Sequence, residues 1–499
     1  MLQNALAHLI LAARHGSVIF RDLGGLASMV LVLFALFYKL YLRVAPPSRK
    51  GHFPPTLQLP SWKVTQSYFE KRFDFIQDGF KATSSSIWQT TLFQKDAIVL
   101  SGDIGRQAFF KTKDLALYDT FSIMMGKGDW YDPHTVSGIV KRMVSTQRPE
   151  VLQKFIPSML SDCQRTMDSW GSGQVLGPCS SFHQITFRLV MRIACADIAN
   201  DPILLARLKP LFDGIDNTGN PYLTWFPWLP SSVFFQKILC SIGTYRSVSS
   251  IIEDRKRSGI KADDMLQQML DDGESTTHIF GFMLGISLAG SRSAGTILSW
   301  VITNLASHPK WFQAVQKEIE TLISTHTSSS PSVTGEELTK ILSEIPLSAW
   351  ESQTPNLDLC IRETLRTSQP YTAVRKNTGP DVTVGPYTIP SGSLVVYPFS
   401  DTALSSSFYP DPLRWDPSRA TGQDTTSVNW GAGKHACKGQ RLGTLMIKLV
   451  VASALMRFTL TMVDAEGTEM DSPPTPDWND PATCRPKEQC GIKVVAKSK

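Results

Sequence analysis

The sequence predicts a mainly α-helical protein with a smaller β part, preceded by one transmembrane helix. Three observations carry this expectation. An uncharged run lies near the N-terminus, Leu23 to Tyr38. A long apolar stretch, Thr277 to Ser307, is bounded by hydroxyl caps and by His308-Pro309. A glycine-rich turn, Trp430 to Gly439, opens directly into an apolar helix candidate from Gln440 to about Thr459.

The N-terminal run extends through Lys39 to Leu42. As a helix it reaches ~30 Å, enough for a bilayer core. Lys39 snorkels to the interface. Lys39, Arg43, Arg49 and Lys50 outweigh Arg14 and Arg21 before the run, which places the following body in the cytosol. No small-residue cleavage site precedes the basic cluster, unlike a secretory signal. The expected organisation is a lumenal segment 1–22, an anchor 23–42, a proline-rich hinge 43–54 and one body 55–499.

Composition narrows the function classes. Of 499 residues, 42% are hydrophobic and 19% charged, which excludes a largely disordered chain. A net charge of +6 is mild at this length and gives no concentrated basic face for nucleic acid. The eight cysteines are scattered, with no CxxC pair, as in a reducing compartment.

Within the body, Asn220 to Phe235 is aromatic and carries three prolines, so a regular helix is not expected there. It reads either as a loop dipping into a membrane interface or as a packed corner. Thr325 to Thr334 reads as a surface loop. The stretch Thr277–Ser307 is a single helix of about 45 Å, apolar nearly all round, capped by Ser275, Thr276 or Thr277. Ser291-Arg292-Ser293 at its middle argues against lipid, since a mid-bilayer arginine costs ~2.5 kcal/mol or more. A buried helix with polar residues at its midpoint implies an adjoining cavity. Thr354-Pro355 starts another helix, with Thr354 as cap. On it Glu363 and Arg366 are spaced to pair.

The chemistry concentrates in Trp430-Gly-Ala-Gly-Lys-His-Ala-Cys437-Lys-Gly439. Gly431, Gly433 and Gly439 allow close backbone approach to something flat and large. Cys437 precedes a helix, where the dipole and free N–H groups favour a thiolate, and Lys434 and His435 add positive character. On its residues alone the cysteine is a nucleophile, a metal ligand or a structural thiol.

The spacing aromatic, two residues, Gly, three residues, Cys, one residue, Gly resembles the haem-binding loop of the cytochrome P450 family, with Trp430 where phenylalanine is usual. Glu363-Thr-Leu-Arg366 matches that family's ExxR pair, and Arg419 in Trp415-Asp-Pro-Ser-Arg419 matches the arginine completing its buried charge triad. The resemblance implies the cytochrome P450 fold over most of 55–495 and haem b with Cys437 as axial thiolate. Trp430, Gly433 and Gly439 then frame the cofactor. Arg375 and His435 match contacts to haem propionates. Gly126 to Asp132 and Thr224 to Pro230 look like segments of the sterol 14-demethylase branch, from which Tyr131 and Arg142 carry over as further propionate contacts.

One position departs from the family. Its central helix carries Ala/Gly-Gly-x-acid-Thr, whereas this chain has Ala289-Gly290-Ser291-Arg292-Ser293. Ser293 retains a hydroxyl at the catalytic position, and Arg292 replaces the acid with a permanent cation. Its side chain is expected to point aside into a salt bridge or water network.

The implied activity is a membrane-bound monooxygenase using O2 and electrons from an NADPH-dependent reductase, docked near Lys434 and Lys438, on a bulky terpenoid or sterol-like substrate. A single-pass endoplasmic reticulum location and fungal secondary metabolism fit this reading. A haem-thiolate isomerase or dehydratase, and a haem protein without turnover, are the rival readings.

Overall fold

The computed structural model describes residues 52–117, 133–216, 231–327, 335–368, 371–419, 428–480 and 484–497. Helices dominate, and the strands gather into small sheets. The expected segments 1–22 and 23–42, most of the hinge 43–54, Tyr131, Asn220 to Pro230 and the core of the Ser/Thr loop all lie outside the described residues. Among the described residues, no helix is long and apolar enough to cross a membrane.

A five-stranded sheet runs in the spatial order Ile87–Leu92, Lys95–Leu100, Leu394–Pro398, Thr372–Asn377, Leu115–Ala116. The first two strands form a hairpin turned at Phe93-Gln94, both left-handed. Lys95–Leu100 pairs in parallel with Leu394–Pro398, and the other neighbours are antiparallel. Arg375 lies on the fourth of these strands. The sheet therefore sets its position rigidly, beneath the helix Gly102–Lys111.

The helical core surrounds the central stretch. Ser275 caps it, its hydroxyl accepting the N–H of His278 at 3.2 Å. The stretch ends at Ser307 before His308-Pro309, as the sequence predicts. It is not one regular α-helix. Thr276–Ile286 and Ser293–Ser307 are α-helical, and Ser287–Arg292 between them is a π turn. A π turn disturbs the regular backbone bonding, and such turns recur at functional sites. Here the Thr186 hydroxyl donates to the Ser291 carbonyl at 3.0 Å.

Thr186 belongs to helix Pro178–Ala194, which crosses the central helix at Gly295. A Cβ at Gly295 would lie 2.5 Å from a ring carbon of His183 and 2.8 Å from the Thr186 hydroxyl. Only glycine fits this crossing. Burial holds the His183 imidazole low, at about 4, so it is neutral near pH 7.

Two helix starts differ from expectation. Thr354 does not cap helix Pro355–Ser368, because its hydroxyl donates backwards to the Trp350 carbonyl. Glu318 of a neighbouring helix caps it instead, accepting the N–H groups of Asn356 and Leu357 at 2.7 and 3.0 Å. The last residues of the aromatic-proline segment, Ser232 to Phe235, do form helix, as the first turn of Ser232–Ser258. All three prolines precede that turn, and Ser231 caps it.

Gly295→Ala should destabilise the fold by about 1–3 kcal/mol through overpacking. Thermal melting checks it, and an unchanged melting temperature would mean that the crossing has slack.

Candidate functional site

The site is built where the cysteine loop meets the helix carrying Glu363. Glu363 is buried, and its carboxylate accepts two bonds from Arg366, Nε at 2.8 Å and Nη2 at 2.7 Å. Arg419 Nε reaches the same carboxylate at 3.1 Å, and the Asp416 N–H donates to it at 3.0 Å. The structure thus brings Glu363, Arg366 and Arg419 together.

The remaining guanidinium donors turn outward to the backbone. Arg366 binds the carbonyls of Ala403, Pro412 and Arg414, and Arg419 binds those of Pro410, Asp411 and Arg414. A segment with little regular structure is thereby fixed against one helix. The side-chain amide of Asn429 extends the attachment, donating to the Arg362 carbonyl at 3.3 Å.

Asn429 starts the cysteine loop. Gly431 N–H donates to the Val428 carbonyl, and Cys437 N–H to the Trp430 carbonyl, both at 2.7 Å. Gly431 and Gly433 are left-handed, with φ of 71° and 65°. A Cβ on Gly433 would lie 2.6 Å from the Phe110 carbonyl oxygen, so this glycine is obligatory. Trp430 packs towards Gly443 of the following helix, Gln440–Arg457.

Cys437 is the one exposed thiol among the described cysteines. The Gly439 N–H and Lys438 favour its thiolate, but burial of its surroundings outweighs them and pushes the thiol up. A bound metal would favour the thiolate. His435 is not a positive group. Burial first, then the Arg375 charge, hold it at about 4. It is neutral near pH 7, and its Nε2 lies 3.1 Å from the Leu115 carbonyl.

Arg375 and His435 converge on the segment Phe109 to Leu115. Arg375 Nη1 donates to the Phe109 carbonyl, and its guanidinium lies over the Phe109 ring at 4.2 Å. It is 3% exposed, and among the described residues no carboxylate pairs with it. Burial lowers it to about 10. A buried guanidinium without an anion is costly unless a ligand supplies one. Arg142 does not join this cluster. Its guanidinium is committed to Asp272 at 2.6 Å and Glu274 at 3.3 Å, which satisfy its charge.

On the central helix, Ala289 and Ser293 are exposed although most of their neighbours are buried. They are four residues apart, on one face. Arg292 turns aside, as expected, its Nη1 2.7 Å from an Asp216 carboxylate oxygen. Burial raises the Asp216 carboxyl, and Arg292 partly offsets this. Asp216 ends helix Pro202–Asp216 and carries no sequence signal, because its partner lies far along the chain.

These residues fit a haem. An accessible thiol, a glycine whose Cβ at Gly439 would meet no protein atom within 4 Å, and a buried cation lacking a carboxylate suit a flat, anionic iron macrocycle.

The comparisons agree. The family model "Cytochrome P450" matches residues 245–479. The chain is 27% identical over 474 residues to cytochrome P450 monooxygenase AacuE of Aspergillus aculeatus, covering 89% of this chain and 92% of that protein. It is likewise 27% identical over 482 residues to lanosterol 14-alpha demethylase of Bos taurus, covering 88% and 90%. The solved structure of retinoic acid bound cyanobacterial CYP120A1 superposes with a TM-score of 0.69 at 21% identity, over 90% of this chain and all of that one. The matched segment and the relatives support a cytochrome P450 family, whose cofactor is haem with a cysteine thiolate ligand, and the solved structure supports the same fold.

Glu363→Ala should leave two buried guanidiniums without their carboxylate, a loss of ~3–5 kcal/mol for a broken buried pair. The expected result is a low yield of haem-loaded protein. A well-folded, haem-replete variant that is merely slow would assign Glu363 to catalysis.

Proposed function

We propose that this chain is a haem-thiolate monooxygenase with Cys437 as the axial ligand, acting on a bulky, largely apolar substrate. The carrying observation is the accessible Cys437 thiol in a loop fixed by two left-handed glycines and tied to the Glu363 helix. When bound, the haem supplies oxygen activation, with one atom going to substrate and the other to water.

The chain's own residues orient and partition this site. Trp430 accepts the Cys437 N–H through its carbonyl and holds the sulfur in place. Gly433 brings the loop against Phe110, and Gly439 leaves its neighbourhood open. Arg375 is the cation for a haem carboxylate, and neutral His435 holds the adjacent backbone through Leu115. Ser293, exposed on the central helix, would offer a hydroxyl for proton handling, while Asp216 draws Arg292 aside. Tyr131 is proposed as a further cofactor contact on the family resemblance.

Electrons come from an NADPH-dependent reductase docking by the exposed Lys434 and Lys438. Residues 23–42 anchor the chain in the endoplasmic reticulum membrane with the body in the cytosol. Phe235, Ile238, Leu239 and Ile242 support membrane proximity, since they form an exposed apolar stripe at helical spacing. A terpenoid or sterol-like skeleton and a role in fungal secondary metabolism rest on likeness to the relatives. AacuE is a fungal protein, and the bovine relative is named for a sterol.

Cys437→Ala should abolish the long-wavelength Soret band of the reduced, CO-bound protein. Its survival would assign the ligand elsewhere. Ser293→Ala should uncouple turnover, with more peroxide released per NADPH consumed and less product. Unchanged coupling would remove Ser293 from proton handling, and turnover without NADPH and O2 would replace oxygenation with isomerisation.

A further inference from the structure

Some interior arginines of this chain are saturated with acceptors, whereas Arg106, Arg188 and Arg457 each keep one buried guanidinium nitrogen without a hydrogen-bond partner. Arg366 donates from all three nitrogens to Glu363 and three carbonyls. Arg192 does so to Asp162 and Asn200. Two arginines of the proposed site also have spare donors. Arg375 uses Nη1 alone among its nitrogens, and the haem carboxylate accounts for its spare donors. Arg292 is the other. Its Nη1 lies 2.7 Å from Asp216, and no other described residue offers it an acceptor.

The haem does not account for Arg292. This residue sits on the central helix, at the end of the π turn and next to Ser293. The guanidinium is 34% exposed, and Asp216 is 22% exposed. A planar donor fork thus stands, partly open, beside the face where Ala289 and Ser293 are accessible. A guanidinium with free parallel N–H groups matches a carboxylate in two-point geometry, which an ammonium cannot.

We propose that Arg292 is a substrate-recognition residue: it binds a carboxylate carried by an otherwise apolar substrate, and Asp216 holds the guanidinium in place when that carboxylate is absent. This deepens the monooxygenase reading and rests on it. The substrate's apolar body lies along Ala289 and Ser293, and its acid end reaches the Asp216 side. Two carboxylates on one guanidinium repel, so the substrate competes with Asp216. Neutralising Asp216 therefore strengthens acid binding, whereas removing Arg292 abolishes the discrimination.

The test uses the haem-loaded full chain and a matched pair of probes, retinoic acid and retinol, which differ in carboxylate against alcohol. Binding is read from the ferric spin-state shift and from tryptophan fluorescence quenching. The wild type should prefer the acid by about tenfold or more, the range of a charge-assisted hydrogen bond. Arg292→Gln should bring the two affinities within about twofold, Arg292→Lys should keep only part of the preference, and Asp216→Asn should raise acid affinity severalfold. Equal binding by the wild type, failure to bind the acid, or a preference that survives Arg292→Gln each overturns the proposal. If Arg292→Gln does not fold, Asp216→Asn decides, because unchanged or weaker acid binding in that variant contradicts competition at Arg292. The CO spectrum of each preparation reports the haem-thiolate reading separately. A thiolate-type spectrum without acid preference removes this inference alone.

Discussion

One buried carboxylate, that of Glu363, organises the catalytic half of this protein. Two guanidiniums share it, and each spends its remaining donors on backbone carbonyls between Ala403 and Arg414. That stretch has little hydrogen-bonded structure of its own, so its polar groups need partners from elsewhere. The triad supplies them. A charged cluster of this kind is a poor source of net stability, since desolvation offsets most of the attraction. Its effect is positional. It fixes the path leading to Asn429, whose amide clips the cysteine loop to the same helix.

The second constraint is the central helix. It is held tightly at Gly295 and loosened at the adjoining π turn. Close packing on one side positions Ser293, and the π turn reshapes the surface on the other. The ion pair between Arg292 and Asp216 then joins this helix to Pro202–Asp216. The proposed site combines the cysteine loop with the exposed face of the central helix at its π turn. Its two cations differ in role: Arg375 is buried on a sheet strand, and Arg292 is partly open.

Much of this was legible in the sequence because it depends on local chemistry. The cysteine loop announces itself through glycine spacing, and two of its glycines are indeed left-handed. The limits of the central stretch followed from its hydroxyl cap and from His308-Pro309, and Glu363 with Arg366 from helical spacing. What escaped involves partners distant in the chain. Nothing local distinguishes Glu318 as the cap of another helix, or Asp216 as the partner of Arg292. Arg142 carried over as a propionate contact, yet two carboxylates from another segment claim it. The positive character expected of His435 was misread because burial, invisible in sequence, holds its imidazole neutral. The anchor and Tyr131 lie outside the described residues, so those expectations stand on sequence alone.

The central claim is that the Glu363 cluster holds the cysteine loop and not the fold as a whole. Amide hydrogen exchange on Glu363→Gln tests it directly, because the amide variant keeps the shape and removes the charge. The account predicts faster exchange across 403–419 and 428–439, including the Gly431 and Cys437 amides, with protection retained in Pro178–Ala194 and Ser293–Ser307. A uniform loss of protection, or none in the loop, would contradict it.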